Sequence, residues 1–224
     1  MTIYYEDEYV QLHHGDARAV RGWLSADVLV TDPPYGTASG KKGADGYGRR
    51  EAREAANPDK PRTIANDMDT TVRDEILAIW GDKPALVFGS PRLPDPPIAV
   101  VDRLVWDKKR MGTNGGPWRY RHESIYVTEG FLRASDASSS ILTAFPDQEH
   151  HIHQKPLALM ESLVNAAPPG IIADPFAGSG STLIAARNLG RKAIGVEIDE
   201  AYCELIVKRL SQQAFDFTAL EADA

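Results

Sequence analysis

Apolar runs of strand length alternate with apolar positions at helical spacing along most of the chain, a pattern that predicts an α/β protein. Val10 to His14 reads as a short strand, with a short helix after it from Ala19 to Leu24. Val28-Leu29-Val30 is continuously apolar, as a strand covered on both faces requires. Val72, Ile76, Leu77 and Trp80 recur at helical spacing after Thr70-Thr71, and Gly81 marks the stop. Ala85 to Phe88 is the next buried strand. Ile98 to Trp106 and His122 to Thr128 are β-rich runs flanking the turn-rich Met111 to Pro117, which predicts an antiparallel pair. Pro156 at the first helical position opens a helix whose apolar face carries Leu157, Met160, Leu163 and Val164. Ile171 to Ala173 is a strand, and a helix through Leu183, Ala186 and Leu189 ends at Gly190. Ala193 to Val196 is another strand. A last helix packs Tyr202, Leu205, Ile206 and Leu210 before a tail, Phe215 to Ala224, expected to fray.

Two stretches break the alternation. Residues 37–67 are polar and carry Gly40, Gly43, Gly46 and Gly48 among Lys41, Lys42, Arg49, Arg50, Arg53, Lys60 and Arg62, so they cannot bury enough apolar surface to fold alone. Arg133 to Gln148, with Ser138-Ser139-Ser140, reads as a flexible connection. The 224 residues otherwise fit one domain, 1–224. No apolar run is long enough to span a membrane, and Met1 to Asp16 is too acidic and polar for a signal peptide, so a cytoplasmic protein is expected. The single cysteine, Cys203, excludes a disulfide framework and a cysteine-based zinc site, and reads as a small core residue. A formal net charge of -7 argues against indiscriminate nucleic-acid binding, so local basic patches would have to supply phosphate contacts. Lys108, Lys109, Arg110, Arg119 and Arg121, interleaved with Trp118 and Tyr120, form one such patch around the predicted hairpin turn. The residues 37–67 form a second, and both also read as merely solvated charge. His150, His151 and His153 stand close together, but two or three close histidines seldom form a complete site, and no metal is expected there.

The candidate chemistry sits where two strands stop. Val28 to Val30 runs into Thr31-Asp32-Pro33-Pro34-Tyr35-Gly36, whose two prolines remove the donors needed to extend a ladder. In an open α/β sheet the carboxyl ends of strands are where ligands bind. Asp32 and the Pro33 carbonyl can accept hydrogen bonds from one amino group, while Tyr35 can stack on the ring that bears it. Alone, the stretch is equally readable as a turn. The second stretch is Ile171-Ile172-Ala173-Asp174-Pro175-Phe176-Ala177-Gly178-Ser179-Gly180-Ser181-Thr182, a strand, an acid and a glycine turn into a helix. Gly178 and Gly180 permit a tight turn that aims helix N-H groups at an anionic group. Glu197, at the end of the following strand, can accept from both hydroxyls of a ribose. A nicotinamide fingerprint would place a third glycine at Leu183, which makes an oxidoreductase the weaker reading.

Together the two stretches resemble the S-adenosylmethionine-dependent DNA amino-methyltransferases of the beta group, in which the catalytic motif precedes the cofactor motif. The resemblance extends from about Leu12 to Leu210. It implies a Rossmann-like class I methyltransferase fold: a mostly parallel seven-stranded sheet with a terminal antiparallel strand pair and helices on both faces. It implies catalytic roles for Asp32, Pro33, Pro34 and Tyr35, and S-adenosylmethionine contacts from Asp16, Lys155, Asp174, Phe176, Gly178, Gly180, Thr182, Glu197 and Ile198. Asp16 would take the adenine amino group, although an N-cap is the other reading of that aspartate. Lys155, within His151-Ile152-His153-Gln154-Lys155-Pro156, would meet the methionine carboxylate, Asp174 the amino group, and Ile198 the adenine. The implied reaction is N6-methylation of a flipped-out adenine in DNA, with N4-cytosine or RNA base methylation as alternatives and a non-catalytic DNA-binding protein as the rival of another class. The family usually has a larger target-recognition region than residues 130–150 provide, so either sequence reading falls to Lys41, Lys42, Arg49 and Arg50 and to Lys108, Lys109, Arg110 and Arg119, or the recognised sequence is short. Double-stranded DNA is the implied partner. A homodimer, a restriction endonuclease partner and a bacterial or phage setting are also compatible with the resemblance.

Overall fold

The structure, a computed structural model, describes residues 3–34, 69–110, 118–131, 139–146 and 154–222, with side chains through 212. Among these residues the strands are β1 (Ile3–Glu6), β2 (Val10–His14), β3 (Val28–Thr31), β4 (Ala85–Gly89), β5 (Asp102–Asp107), β6 (His122–Val127), β7 (Ile141–Thr143), β8 (Ile172–Asp174) and β9 (Ala193–Glu197). They form one sheet in the order β1-β2-β9-β8-β3-β4-β6-β5-β7. The pairs β2·β9, β9·β8, β8·β3 and β3·β4 are parallel, whereas β4·β6 and β6·β5 are antiparallel.

Every residue of β3, β4 and β9 is buried, because both faces of the sheet are covered. Val28 and Val30 of β3 point into a core shared with Leu86, Phe88, Trp106 and Ile125, together with Met160 and Leu163, Leu183 and Ile184, and Ile206. Those last residues belong to helices α2 (Leu157–Ala166), α3 (Ser181–Asn188) and α4 (Glu200–Ala222). Leu29, one residue out of phase, enters the opposite core with Trp23, Val87 and Val196 and with Val72, Ile76 and Trp80 of α1 (Thr71–Trp80). On that face Trp23 stacks on Trp80 with ring centroids 5.7 Å apart.

The expected Rossmann-like arrangement is present, but the sheet is wider than seven strands. β1 adds antiparallel to β2 at one edge, and β7 adds parallel to β5 at the other. β7 comes from the segment read as a connection, and it places a strand outside the pair expected to end the sheet. The Ala19 to Leu24 helix is replaced by a 3-10 turn at Gly22–Ser25. Upstream of it, the Asp16 carbonyl already accepts from the N-H groups of Ala19 and Val20. α1 ends as expected at Gly81, in the left-handed region at φ 75. α2 starts one residue later than predicted, with Pro156 in extended conformation at the cap. α4 continues to Ala222 through the segment expected to fray, where neither glycine nor proline occurs to stop it.

Candidate active site

Parallel pairing brings the carboxyl ends of β2, β9, β8, β3 and β4 to one edge of the sheet, and the residues that follow them meet there. Thr31, the last residue of β3, donates its hydroxyl to Asp174 Oδ1 at 2.6 Å, joining segments 143 residues apart. Asp32 follows at the end of β3, half-buried, with Pro33 and Pro34 buried behind it. Tyr35 lies outside the described residues. Asp174 is itself buried: burial pushes its carboxyl up to about 6, against hydrogen bonds from Thr182 and Thr31 and from the Phe176 N-H. Asp174 and Thr182 therefore brace the strand end, and Phe176 is placed beside them.

From Asp174 the chain turns through Gly178, at φ 52, and Gly180, at φ 82, into α3. Gly178 donates its N-H to Glu197 Oε2 at 2.7 Å, and Asp199 donates to Oε1 at 2.9 Å. Burial pushes the Glu197 carboxyl up to about 7 in spite of these amides. Each carboxylate oxygen has a second lone pair, so Glu197 retains capacity to accept hydroxyl donors. Val196 and Ile198 flank this carboxylate on the chain, Val196 buried and Ile198 exposed. A feature not legible in the sequence is Arg209 of α4, a buried guanidinium donating to the Ser179 carbonyl inside the glycine turn. Gly180 also has no room: a Cβ would lie 2.8 Å from Ile206 Cγ1. Gly180→Ala combines that clash with a left-handed backbone and is expected to destabilise the fold by about 2 kcal/mol, lowering Tm by about 4–8 °C. Thermal unfolding measures this directly, and an unchanged Tm would show that the turn is less constrained than its geometry states.

Lys155, expected to meet the methionine carboxylate, lies against two carboxylates of the protein itself. Its ammonium, buried at the start of α2, donates to Asp32 Oδ2 and forms an ion pair with Glu123 Oε2 at 3.2 Å. Lys108 Nζ donates to the other oxygen of Glu123 at 2.5 Å. The faces of Phe88 and Trp106 lie 4.9 and 5.7 Å from the Lys155 nitrogen. Burial disfavours charge on Lys155, yet Asp32 and Glu123 outweigh it and hold its pKa above the usual lysine range. Burial likewise opposes ionisation of Glu123, and the two lysines overcome it to pull its pKa down. Glu123 was missed in the sequence reading. The available signal was a carboxylate inside an otherwise buried strand.

Asp16 follows β2 at the same edge, engaged by the Arg18 side chain at 2.6 Å and by the Arg18 N-H at 2.9 Å. Those hydrogen bonds hold its carboxyl below the usual range. Among the candidate DNA contacts, Lys108 is committed to Glu123, while Lys109 and Arg121 flank Asp107 at 3.9 and 2.7 Å. Arg110 and Arg119 are exposed beside them, and Trp118 is 77% exposed. Lys41, Lys42, Arg49 and Arg50, the turn 111–117 and the three histidines lie outside the described residues. Among the described residues no group of three or more His, Cys, Asp or Glu is placed to hold a metal ion. Among the described residues no helix is long and apolar enough to cross a membrane.

A family profile described as DNA methylase matches residues 129–208. The type II methyltransferase M2.LlaDCHI of Lactococcus lactis subsp. cremoris is 24% identical over 252 aligned positions, spanning 94% of this chain and 93% of that relative. Over 66 residues the DNA adenine methyltransferase YhdJ of Escherichia coli (strain K12) is 42% identical, covering 29% of this chain and 22% of that relative. In fold, the M1.HpyAVI-SAM complex matches with a TM-score of 0.57 at 23% identity, over 89% of this chain and 99% of that one. With Asp32 preceding the glycine stretch in the chain and the two meeting at one sheet edge, the chain is similar in sequence to DNA methyltransferases of the N6-adenine/N4-cytosine kind, over residues 129–208 by the family profile and over most of its length by the type II relative.

Proposed function

We propose that the protein is a DNA methyltransferase that uses S-adenosylmethionine to methylate the N6 amino group of adenine. The observation that carries this reading is the Thr31 to Asp174 hydrogen bond of 2.6 Å, because it joins the end that bears Asp32 to the turn that bears Gly178 and faces Glu197. When bound, S-adenosylmethionine supplies an electrophilic sulfonium methyl group. The residues present fit that group: a buried carboxylate, Glu197, suits ribose hydroxyls, and Gly178 and Gly180, without a Cβ, would let the backbone approach the cofactor closely. Ile198 suits an apolar ring edge.

A base amine is a weak nucleophile because its lone pair is delocalised into the ring. Asp32 and the Pro33 carbonyl together accept both N-H bonds, which favours a more tetrahedral nitrogen. The negative charge of Asp32 offsets the positive charge that develops on nitrogen, and no proton need leave before attack. Reaching the amine inside a duplex requires base flipping, which costs a few kcal/mol. Stacking on Tyr35 returns about 1–3 kcal/mol.

Two points support adenine over cytosine. The residue before Pro-Pro-Tyr is Asp32, an aspartate that in the family usually goes with adenine, and YhdJ, similar over a local stretch, is named an adenine enzyme. The deciding experiment is nucleoside mass spectrometry on DNA incubated with the protein and S-adenosylmethionine. N6-methyladenine is expected. N4-methylcytosine would overturn the choice of base, and DNA binding without any methyl incorporation would overturn catalysis.

A further inference from the structure

We propose that Lys155 and Glu123 are positioning residues for Asp32, a buried charge relay that orients its carboxylate toward the substrate amine and ties it to the hairpin bearing Lys108. This rests on the reading of Asp32 as the group that receives the amine. The geometry comes from four elements. Asp32 ends β3 and Lys155 precedes α2. Glu123 lies at the start of β6, and because β6 runs antiparallel to β4, its first residues reach the edge where β3 and β4 end. Lys108 follows β5, which β6 pairs so that Trp106 lies opposite Glu123 and Asp107 opposite His122. Two carboxylates and two ammonium groups thus alternate as Asp32, Lys155, Glu123, Lys108, neutral in sum.

A buried ion pair is seldom the most stabilising choice, since apolar residues of similar volume serve the core as well or better. Here the surrounding surface is already apolar, with Phe88 and Trp106 against the ammonium. The charge is therefore better explained by its partner. With Oδ2 of Asp32 held by Lys155, the carboxylate plane is set by the protein before substrate arrives, and less orientation has to be imposed during reaction. Glu123 in turn keeps the ammonium in place, and Lys108 fixes Glu123 from the side where the hairpin turn begins.

The test compares Lys155→Met, Glu123→Gln and the double variant. Methionine retains the packing against Phe88 and Trp106. Lys155→Met is expected to lower kcat by about 100-fold, the scale of losing a charge-assisted contact made at the reacting group. The dissociation constant for S-adenosylmethionine, read by titration calorimetry on the free protein, and the KM for DNA should each stay within about threefold. Glu123→Gln should lower kcat by about tenfold, and the double variant should be no worse than Lys155→Met alone, as members of one unit behave. If Lys155→Met does not fold, Lys155→Gln carries the same expectations. A tenfold or greater weakening of cofactor binding with kcat retained would assign Lys155 to the methionine carboxylate and overturn the proposal, as would unchanged kinetics or additive losses. A wild-type protein that methylates no nucleic acid would overturn the methyltransferase reading and this inference together, whereas an active wild type with indifferent variants overturns the inference alone.

Discussion

Asp32→Ala is expected to reduce methyl transfer by at least about 10³-fold while leaving the dissociation constant for S-adenosylmethionine within about threefold. The side chain stands at the end of β3, and the turn that suits the cofactor comes from β8 and β9, so the two functions are carried by different strands. Removing the carboxylate deletes an acceptor for the amine and the negative charge facing the developing cation. It also removes a carboxylate that faces the buried Lys155 ammonium, in a site that desolvates it. Asp32→Asn separates these effects. The amide fills the same volume but carries no charge, so a loss close to that of the alanine variant would place the effect in electrostatics rather than packing. Radiolabelled methyl transfer and calorimetry measure the two quantities. Activity retained within tenfold in Asp32→Ala would sink the assignment.

The second large effect concerns Glu197. Glu197→Gln should weaken S-adenosylmethionine binding by about 100-fold at pH 7.5, because a buried acceptor for hydroxyl donors is neutralised. Its pH dependence has a definite sign. Burial raises the carboxyl from 4.5 in the unfolded chain to about 7 in the fold. As pH rises through that window the unfolded chain gives up its proton first, so the native state loses stability between about 4.5 and 7 and levels off above. Hydroxyl donors favour the ionised form, so cofactor binding should release a proton and tighten by up to about tenfold per pH unit as pH rises toward 7. Calorimetry in buffers of different ionisation enthalpy reports that proton. In Glu197→Gln the release should disappear, while Asp174, raised from 3.8 to about 6 by its own burial, should leave a smaller loss of stability as pH rises through that window. Binding indifferent to pH in the wild type would contradict the placement of the cofactor on Glu197.

Much of this was legible because the parallel strands are short, apolar and covered on both faces. β3, β4 and β9 consist wholly of buried residues, and such runs stand out from their helical neighbours without any knowledge of pairing. Acids placed directly after such runs, at Asp32 and Asp174 or closing the strand at Glu197, mark the binding edge by position alone. β7 was not legible. Three residues in a serine-rich stretch carry no periodic signal, and Ile141 to Thr143 become a strand only because β5 offers an edge to pair with. Gly180 could be read as a turn glycine, whereas its closeness to Ile206 required the packing of α4.

The sequence by itself determined the alternation of elements, the order of the two chemical stretches and the residue types that each strand end presents, since these follow from local periodicity and turn chemistry. Only the tertiary structure decided partners. Lys155 reads in the sequence as a cation for a ligand carboxylate, and the fold also sets it between Asp32 and Glu123, because the reversal of β6 carries the beginning of that strand to the edge where its parallel neighbours end. Which charge meets which is set by strand direction and pairing across more than a hundred residues, and local sequence holds no record of that.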